Sequence, residues 1–164
     1  MNGRLSAPVP LVASHRLDDF ACGEASLDDW LKRRALGNQL SGASRTFVVT
    51  QADGQVLGYY ALAAGAVAHE TATSAVRRNM PDPVPVMVLA RLAVDQRAQG
   101  RQLGGALLQD AVRRSLAVAE NAGVRALLVH ALHERARQFY EHYGFQPSPH
   151  RPMTLMLRLN SVKG

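Results

Sequence analysis

The sequence predicts a mixed α/β fold built around one β-sheet. Two β-rich runs in "RTFVVTQADGQVLGYYALAAGAVA" are separated by Asp53-Gly54, a dipeptide typical of tight hairpin turns. After this hairpin, apolar runs of strand length alternate with segments of helical periodicity, which is the pattern of β-α-β units. The predicted order is a helix, an antiparallel hairpin and then β-α-β-α-β. Ligand sites are expected where a strand passes through a loop into a helix.

The first helix is predicted over "SLDDWLKRRALGNQL", residues 26–40. Ser26 is expected as its N-cap, with Asp29 three residues later as in a capping box. Leu27, Trp30 and Leu31 share one face, which predicts the side that packs against the rest of the domain.

The segments after the hairpin predict a loop and a central strand. "HETATSAVRRNMPDPVP" is polar and contains three prolines, which indicates a connecting loop with room for one short helix. "VMVLARLAV" is almost continuously apolar, as a strand buried on both faces would be.

The C-terminal half predicts two helices and two strands. Leu103, Leu107 and Ala111 begin a helical stripe, which should stop near Gly123. "VRALLVHAL" and "MTLMLRL" predict strands. Between them, "HERARQFYEHYGF" predicts a short helix that ends at Gly144. Its apolar stripe is formed by Ala136, Phe139, Tyr140 and Tyr143.

Length and composition predict one domain, residues 1–164, in the cytoplasm. A chain of this length buries roughly two-thirds of its extended-chain surface, and its hydrophobic content of 47% is ordinary for a globular protein. No apolar run approaches the ~20 residues of a membrane span, and the N-terminal residues lack a signal-peptide pattern. The single cysteine, Cys22, excludes an internal disulfide and suits a reducing compartment.

The charge of the chain raises the question of a polyanionic partner. The formal net charge is +6, from 19 Lys+Arg against 13 Asp+Glu, and most of the cations are arginines. Guanidinium groups match phosphate geometry, so a nucleic acid fits. A basic surface without any nucleic-acid role fits the charge equally well.

The junction "AVDQRAQGRQLGGALL", residues 93–108, is a candidate anion site. A helix that starts directly after a buried strand directs several backbone N–H groups and the positive end of its dipole at one place. Arg97 and Arg101 add full charges. Neither G-x-G-x-x-G nor a Walker sequence is present, so the residues alone leave both a phosphate site and a plain helix-opening turn possible.

The junction resembles motif A of the GCN5-related N-acetyltransferases (GNATs), with the pattern Q/R-x-x-G-x-G/A. A second segment, "HERARQFYEHYGF", is similar to the family's N-x-x-A-x-x-F-Y-x-x-x-G-F. The resemblance implies a mostly antiparallel sheet that splays between two parallel strands, flanked by helices, with acetyl-CoA bound where these strands part. The implied acetyl-CoA residues are Leu92, Ala93, Val94, Gln99, Gly100, Arg101, Gln102, Leu103, Gly104, Gly105, His133, Ala136 and Phe139.

Tyr140 corresponds to the family tyrosine that protonates the departing CoA thiolate. A phenol with a pKa near 10 can donate to a thiolate. Periodicity alone would instead assign Tyr140 to the packed stripe of its helix. His130 and His133 could be read as a metal pair, but no third ligand stands near them in the sequence, and no metal is expected.

Two residues depart from the family pattern. Gln102 stands where the motif has its first glycine, and His133 stands where the second segment has asparagine. We expect phosphate binding to require a negative φ at Gln102, with its N–H directed at the pyrophosphate, because a positive φ would cost about 1 kcal/mol or more.

A wider resemblance covers nearly the whole chain. It is carried by three segments: "GEASLDDWLKRRALGNQLSGASRTFVV", "RRNMPDPVPVMVLARLAVD" and "VHALHERARQFYEHYGF". These segments resemble the GNAT toxins of bacterial toxin–antitoxin pairs (TacT-type). The resemblance implies acetylation of the α-amine of aminoacyl-tRNA, control by a ribbon-helix-helix antitoxin and a homodimer. The α-amine titrates near 8, so a strong buried base is dispensable. A GNAT acting on a small amine or a protein N-terminus, and a non-catalytic basic module that binds RNA or protein, are the alternatives. The candidate tRNA contacts are Lys32, Arg33, Arg77, Arg78 and Arg91, each of which could equally lie on a solvated face.

Overall fold

The computed structural model describes residues 5–160 and has the predicted mixed α/β architecture. Seven strands form one sheet in the order β1-β2-β3-β4-β5-β7-β6. Their bounds are Val9–Pro10, Arg45–Thr50, Val56–Val67, Val84–Val94, Ala126–His130, Gln146–Pro147 and Thr154–Arg158. Five α-helices, α1 to α5, span Ala25–Trp30, Leu36–Ser41, Ser74–Arg77, Leu103–Ala119 and Glu134–His142. The mostly antiparallel sheet with one parallel pair, β4 and β5, confirms the fold class.

The chain divides into two compact units. The first unit holds residues 5–63 and 90–111, and the second unit holds residues 64–89 and 112–160. No helix within residues 5–160 is long and apolar enough to cross a membrane.

In the first unit, the predicted hairpin is confirmed. Strand β2 pairs with β3 in antiparallel register, with Phe47 opposite Tyr60. The turn is closed by hydrogen bonds from the Gly54 N–H to the Gln51 carbonyl and from the Gln51 N–H to the Gln55 carbonyl, at 2.9 and 3.1 Å. Gly54 has φ +84°, a conformation that glycine adopts without strain.

The first predicted helix is present, but its start and its regularity differ from the prediction. The helix begins at Ala25, and its N-cap, Glu24, makes no side-chain capping bond. Ser26 therefore lies inside the first turn, so the expected capping box with Asp29 is wrong. A π-helical turn, Leu31–Ala35, joins α1 to α2. Its two buried residues, Leu31 and Ala35, form the inward face of that turn.

Helix α4 packs closely on β3 within the first unit. A Cβ added at Gly58 would lie 3.1 Å from methyl groups of both Leu103 and Leu107, so glycine permits this approach. The Tyr60 hydroxyl donates a 2.5 Å hydrogen bond to the Asp110 carboxylate. The helix ends at Ala119, before the predicted stop at Gly123.

In the second unit, β5 pairs in parallel with β4 and in antiparallel with β7. The parallel pairing runs from Met87 to Leu89 on β4, which itself continues to Val94. Helix α3 packs through Val76 into an apolar cluster with residues of β4, β5 and β7. Helix α5 is followed by Gly144 at φ +95°, as the sequence predicts for its end.

Candidate functional site

The loop after β4 is organised around the buried carboxylate of Asp95. Only 1% of this residue is exposed, and its oxygens accept four hydrogen bonds. Three come from the backbone N–H, Nε and Nη2 of Arg97, at 2.8, 2.9 and 3.0 Å, and one from the Ala21 N–H at 3.0 Å. Burial would raise the pKa of Asp95, but the hydrogen bonds from Arg97 and Ala21 outweigh it and hold the pKa below its usual value.

The side chains of this loop hold the backbone in place. Gln99 Nε2 donates to the carbonyls of Cys22 and Val94, at 3.0 and 2.9 Å. Arg97 Nη2 also reaches the Asp19 carbonyl, at 3.3 Å. Arg97 and Gln99, two of the polar side chains expected near a phosphate, are therefore engaged with protein. Arg101 is exposed and donates to the Arg97 carbonyl at 3.5 Å. Its charge and the backbone N–H groups of the loop are the features that could meet an anion.

The expectation of a negative φ at Gln102 is wrong. Gln102 has φ +60°, and Gly100, two residues before it, has φ +84°. The loop thus needs the left-handed conformation at the position where the family motif has glycine, and the glutamine adopts it. Such a conformation costs a residue with a Cβ roughly 1–2 kcal/mol relative to glycine. The anchors at Asp95 and Gln99 fix the loop and so impose this strain.

The start of α4 supplies the donors for an anion. The first hydrogen bond of the helix runs from the Ala106 N–H to the Gln102 carbonyl, at 3.2 Å. The N–H groups of Leu103, Gly104 and Gly105 precede it and have no acceptor within the helix. The dipole of this 17-residue helix adds a partial positive charge at the same end.

The end of β4 lies beside this loop. Leu92 and Val94 are half-buried, whereas Ala93 is buried in a cluster with Phe20 and Tyr59. The Val94 carbonyl accepts the bond from Gln99, so this strand end and the loop are held together directly.

Tyr140 lies on α5 in the second unit, and its hydroxyl makes no hydrogen bond within residues 5–160. The residue is 6% exposed. Its ring packs against Phe139 and Phe145, with centroid distances of 5.1 and 5.5 Å. Burial raises the pKa of Tyr140, so the phenol stays protonated at neutral pH.

The other two buried tyrosines differ from Tyr140 in this respect. The Tyr59 hydroxyl donates to the Leu27 carbonyl at 2.7 Å, and the Tyr60 hydroxyl donates to Asp110. A buried tyrosine usually finds such a partner. The unused hydroxyl of Tyr140 is therefore free to bind a group that the folded chain does not supply.

The start of α5 explains why histidine can replace the family asparagine. His133 is the N-cap, and its Nδ1 accepts a 3.2 Å hydrogen bond from the Ala136 N–H. An asparagine side chain would make the same kind of cap. His130 Nδ1 lies 2.9 Å from Thr154 Oγ1. No group of three metal-ligating side chains occurs among the described residues.

The two carboxylates on α5, those of Glu134 and Glu141, form ion pairs with Arg137. Arg137 Nη2 lies 2.5 Å from Glu134 Oε2, and Arg137 Nη1 lies 2.9 Å from Glu141 Oε2. The hydrogen bond from Arg137 lowers the pKa of Glu134, which weakens it as a base.

Comparison with known proteins agrees with this geometry. A family model described as "Acetyltransferase (GNAT) domain" matches residues 43–147. The chain belongs to the GNAT acetyltransferases.

Individual members of the GNAT family resemble the chain over most of its length. A "tRNA-acetylating toxin" of Mycobacterium tuberculosis is 52% identical over 96% of this chain and 95% of its own. A "probable toxin TacT" of Sinorhizobium fredii is 30% identical over 88% of this chain and 85% of its own. The solved structure of AtaT complexed with acetyl-methionyl-tRNAfMet is 26% identical and superposes with a TM-score of 0.87 over 94% of this chain and 95% of that chain.

The predicted tRNA contacts fall on both units of this GNAT chain. In the first unit, Lys32 and Arg33 are exposed on the π-helical turn, and the Arg91 guanidinium lies 5.1 Å from the centroid of the Trp30 ring. In the second unit, Arg77 and Arg78 are exposed at the end of α3. Arg77 Nη1 donates to the His69 carbonyl at 3.2 Å.

Sequence reasoning missed the residue that organises the GNAT motif A loop. Asp95 directly follows the strand and precedes Arg97 by two residues, a spacing that suits a local ion pair. Its bond to Ala21 joins segments 74 residues apart, and no local pattern signals that contact.

Proposed function

We propose that the chain is a toxin that transfers the acetyl group of acetyl-CoA to the α-amine of aminoacyl-tRNA and so blocks translation. The observation that carries the chemistry is the protonated hydroxyl of Tyr140, which has no hydrogen-bond partner within residues 5–160 and belongs to a buried ring. The choice of acceptor is supported by the similarity to the tRNA-acetylating toxin of M. tuberculosis and to AtaT in complex with acetyl-methionyl-tRNAfMet.

Acetyl-CoA fits the donor set of the motif A loop. Its pyrophosphate would accept hydrogen bonds from the N–H groups of residues 99–105, aided by the dipole of α4 and the charge of Arg101. Residues 92–94 would hold the pantetheine arm, and the family resemblance also assigns His133, Ala136 and Phe139 to acetyl-CoA. A structure of an AtaT variant with the C-terminus of its antitoxin AtaR also contains acetyl-CoA, which supports the same cofactor here. The cofactor supplies an acyl group activated as a thioester.

Tyr140 acts as the general acid. The acceptor nitrogen attacks the thioester carbonyl, a C–N bond forms, and the C–S bond breaks. Tyr140 donates its hydroxyl proton to the departing CoA sulfur, which keeps the bonding electrons. The proton released by the amine passes to solvent, and Tyr140 regains a proton from solvent, which restores the phenol. The raised pKa keeps the proton on Tyr140 until the thiolate develops.

The transfer is direct, without an acetyl-enzyme. The only cysteine, Cys22, is half-buried, and burial raises the pKa of its thiol to about 11. A thiol of this kind is protonated at neutral pH and is a poor nucleophile.

The acceptor amine needs no strong base. An α-amine has a pKa near 8, so a sizeable fraction is neutral at cytoplasmic pH. This matches the state of Glu134 and Glu141, whose carboxylates are held by Arg137. A lysine side chain, with a pKa near 10.4, would need a base that these residues do not provide.

The proposal extends to the setting of the enzyme. The whole chain, 1–164, forms one acetyltransferase domain that works as a homodimer in the cytoplasm, and a ribbon-helix-helix antitoxin holds it inactive. The AtaT structures described with the antitoxin AtaR and with DNA support the antitoxin partner. The ribbon-helix-helix class, the homodimer and the cytoplasmic location rest on the family resemblance. The tRNA contacts are those predicted from the sequence: Lys32, Arg33, Arg77, Arg78 and Arg91.

The test is to incubate the protein with acetyl-CoA and a total pool of aminoacylated tRNA. Mass spectrometry after nuclease digestion should find N-acetyl-aminoacyl adducts of one or a few isoacceptors. Parallel reactions contain a polyamine, and peptides with free N-termini. Acetylation of these acceptors without any tRNA adduct would overturn the proposed substrate, and failure to bind acetyl-CoA would overturn the enzyme assignment.

A further inference from the structure

Arg125 is fixed against the end of α3 in the second unit. Its Nε donates to the Val76 carbonyl at 3.2 Å, and its Nη2 donates to the carbonyls of Ala75 and Arg78 at 3.4 and 3.0 Å. Its Nη1 makes no hydrogen bond to the described part of the chain. The guanidinium is therefore held in one orientation, with one edge committed to α3 and the other edge available.

The strand register brings Arg158 to the same place. Arg158 on β7 lies opposite Ala126 on β5, so the two side chains share one face of the sheet. Ala126 is buried in the cluster that includes Val76 of α3, which identifies this face as the one covered by α3. Arg158 is exposed at the end of β7, next to the strand that begins beside Arg125.

Arg78 completes a cluster with Arg125 and Arg158, which we call the arginine cluster. Arg78 directly follows α3, and its carbonyl is one of the acceptors for Arg125. None of the three forms a salt bridge with a carboxylate of residues 5–160. Burial and, after it, the charges of Arg158 and Arg78 lower the pKa of Arg125, as expected for neighbouring cations.

The arginine cluster lies across the sheet from the end of α5. Leu157 is adjacent to Arg158 on β7 and points to the opposite face. A Cβ added at Gly144, just after α5, would lie 3.8 Å from Leu157 Cδ1. A ligand on the cluster therefore contacts a different face from the one that carries the end of the Tyr140 helix.

We propose that the arginine cluster binds the phosphodiester backbone of RNA, and that it holds the body of the tRNA away from the reacting 3′ end. Three neighbouring guanidinium groups without carboxylate partners can each pair with a phosphate, and the fixed orientation of Arg125 lowers the entropy cost of binding. The identity of the RNA as tRNA rests on the proposed function. The affinity of the arginine cluster for phosphate is independent of that function.

The test measures binding of uncharged tRNA by fluorescence anisotropy across a salt series. Arg78→Gln, Arg158→Gln and the double variant remove two exposed cations without disturbing the bonds of Arg125 to α3. Arg151→Gln, at another exposed arginine of the second unit, is the matched control. Each phosphate contact contributes roughly 0.7–0.9 to the slope of log affinity against log salt. The double variant should lower that slope by about 1.5 and weaken binding roughly tenfold or more.

Several outcomes decide the inference. The inference is wrong if the double variant loses no more affinity for tRNA than Arg151→Gln does. It is also wrong if the double variant loses affinity only for duplex DNA or for an acidic peptide. With aminoacyl-tRNA as substrate, the KM of the double variant should rise by the same factor as the Kd of uncharged tRNA, and an unchanged KM would contradict the assignment. If no aminoacyl-tRNA is acetylated at all, the proposed function is wrong. The binding measurement with uncharged tRNA still tests whether the arginine cluster binds RNA.

Discussion

Replacing Gln102 by glycine should stabilise the protein. Gln102 has φ +60°, where a residue with a Cβ costs roughly 1–2 kcal/mol relative to glycine. Glycine loses more backbone freedom on folding, which offsets roughly 0.4–1 kcal/mol of that gain. The difference is a net stabilisation of about 0.8 kcal/mol. For a domain of this size, it raises Tm by about 2 °C.

The assay is thermal unfolding of Gln102→Gly beside Gln109→Gly. Gln109 is exposed within α4, where glycine should destabilise by roughly 0.5–1 kcal/mol. The two identical substitutions should therefore shift Tm in opposite directions. A fall in Tm for Gln102→Gly equal to that for Gln109→Gly would refute the strain at Gln102. The Kd for acetyl-CoA should stay within about twofold, because glycine keeps both the N–H and the preferred φ.

Two further predictions concern stability. Asp95→Asn should lower the free energy of unfolding, measured by urea denaturation, by about 2 kcal/mol. The loss is smaller than for a fully buried ion pair because Arg97 is half exposed. The folded pKa of Asp95 is depressed, so its contribution is present above about pH 3.9 and should be lost as the pH falls below that value in an acid titration. Burial raises the pKa values of Tyr59 and Tyr140, so the stability they contribute is complete below about pH 10 and should fall as the pH rises beyond it. A flat Tm between pH 9 and about 11.5 would contradict that expectation.

The parts of the fold that the sequence predicts well have local causes. Asp53-Gly54 closes its own turn, and the apolar run that ends at Val94 forms a strand of the sheet, as its composition predicts. The helix of Tyr140 likewise follows from the spacing of its apolar side chains and from Gly144. In each case, the interactions that determine the element lie within a few residues of one another.

The parts that could not be predicted depend on distant contacts. The positive φ of Gln102 results from a loop that Asp95 and Gln99 tie to residues 21 and 22, far away in the chain. The first helix starts before Ser26 because the Asp28 carboxylate accepts from the Cys22 N–H at 2.9 Å, which fixes the chain ahead of the helix. Such contacts leave no periodic signal in the sequence.

Only the structure reveals that the Tyr140 hydroxyl has no hydrogen-bond partner within residues 5–160. Periodicity places Tyr140, like Tyr143, on the apolar stripe of α5, and both rings pack against Phe139. Only the hydrogen bonds of the folded chain separate Tyr140 from the other buried tyrosines, Tyr59 and Tyr60.

The most direct measurement of the central claim compares the turnover of Tyr140→Phe with that of Tyr143→Phe on aminoacyl-tRNA. Tyr140 lies in α5 and Tyr143 is the C-cap of the same helix, so both variants remove one hydroxyl from neighbouring positions and keep the packed ring. Tyr140→Phe should bind acetyl-CoA nearly as well as the unmodified protein and lose a factor of roughly 10²–10⁴ in kcat, whereas Tyr143→Phe should keep its activity. Full activity of Tyr140→Phe, or an equal loss in both variants, would contradict the role of Tyr140 as the general acid.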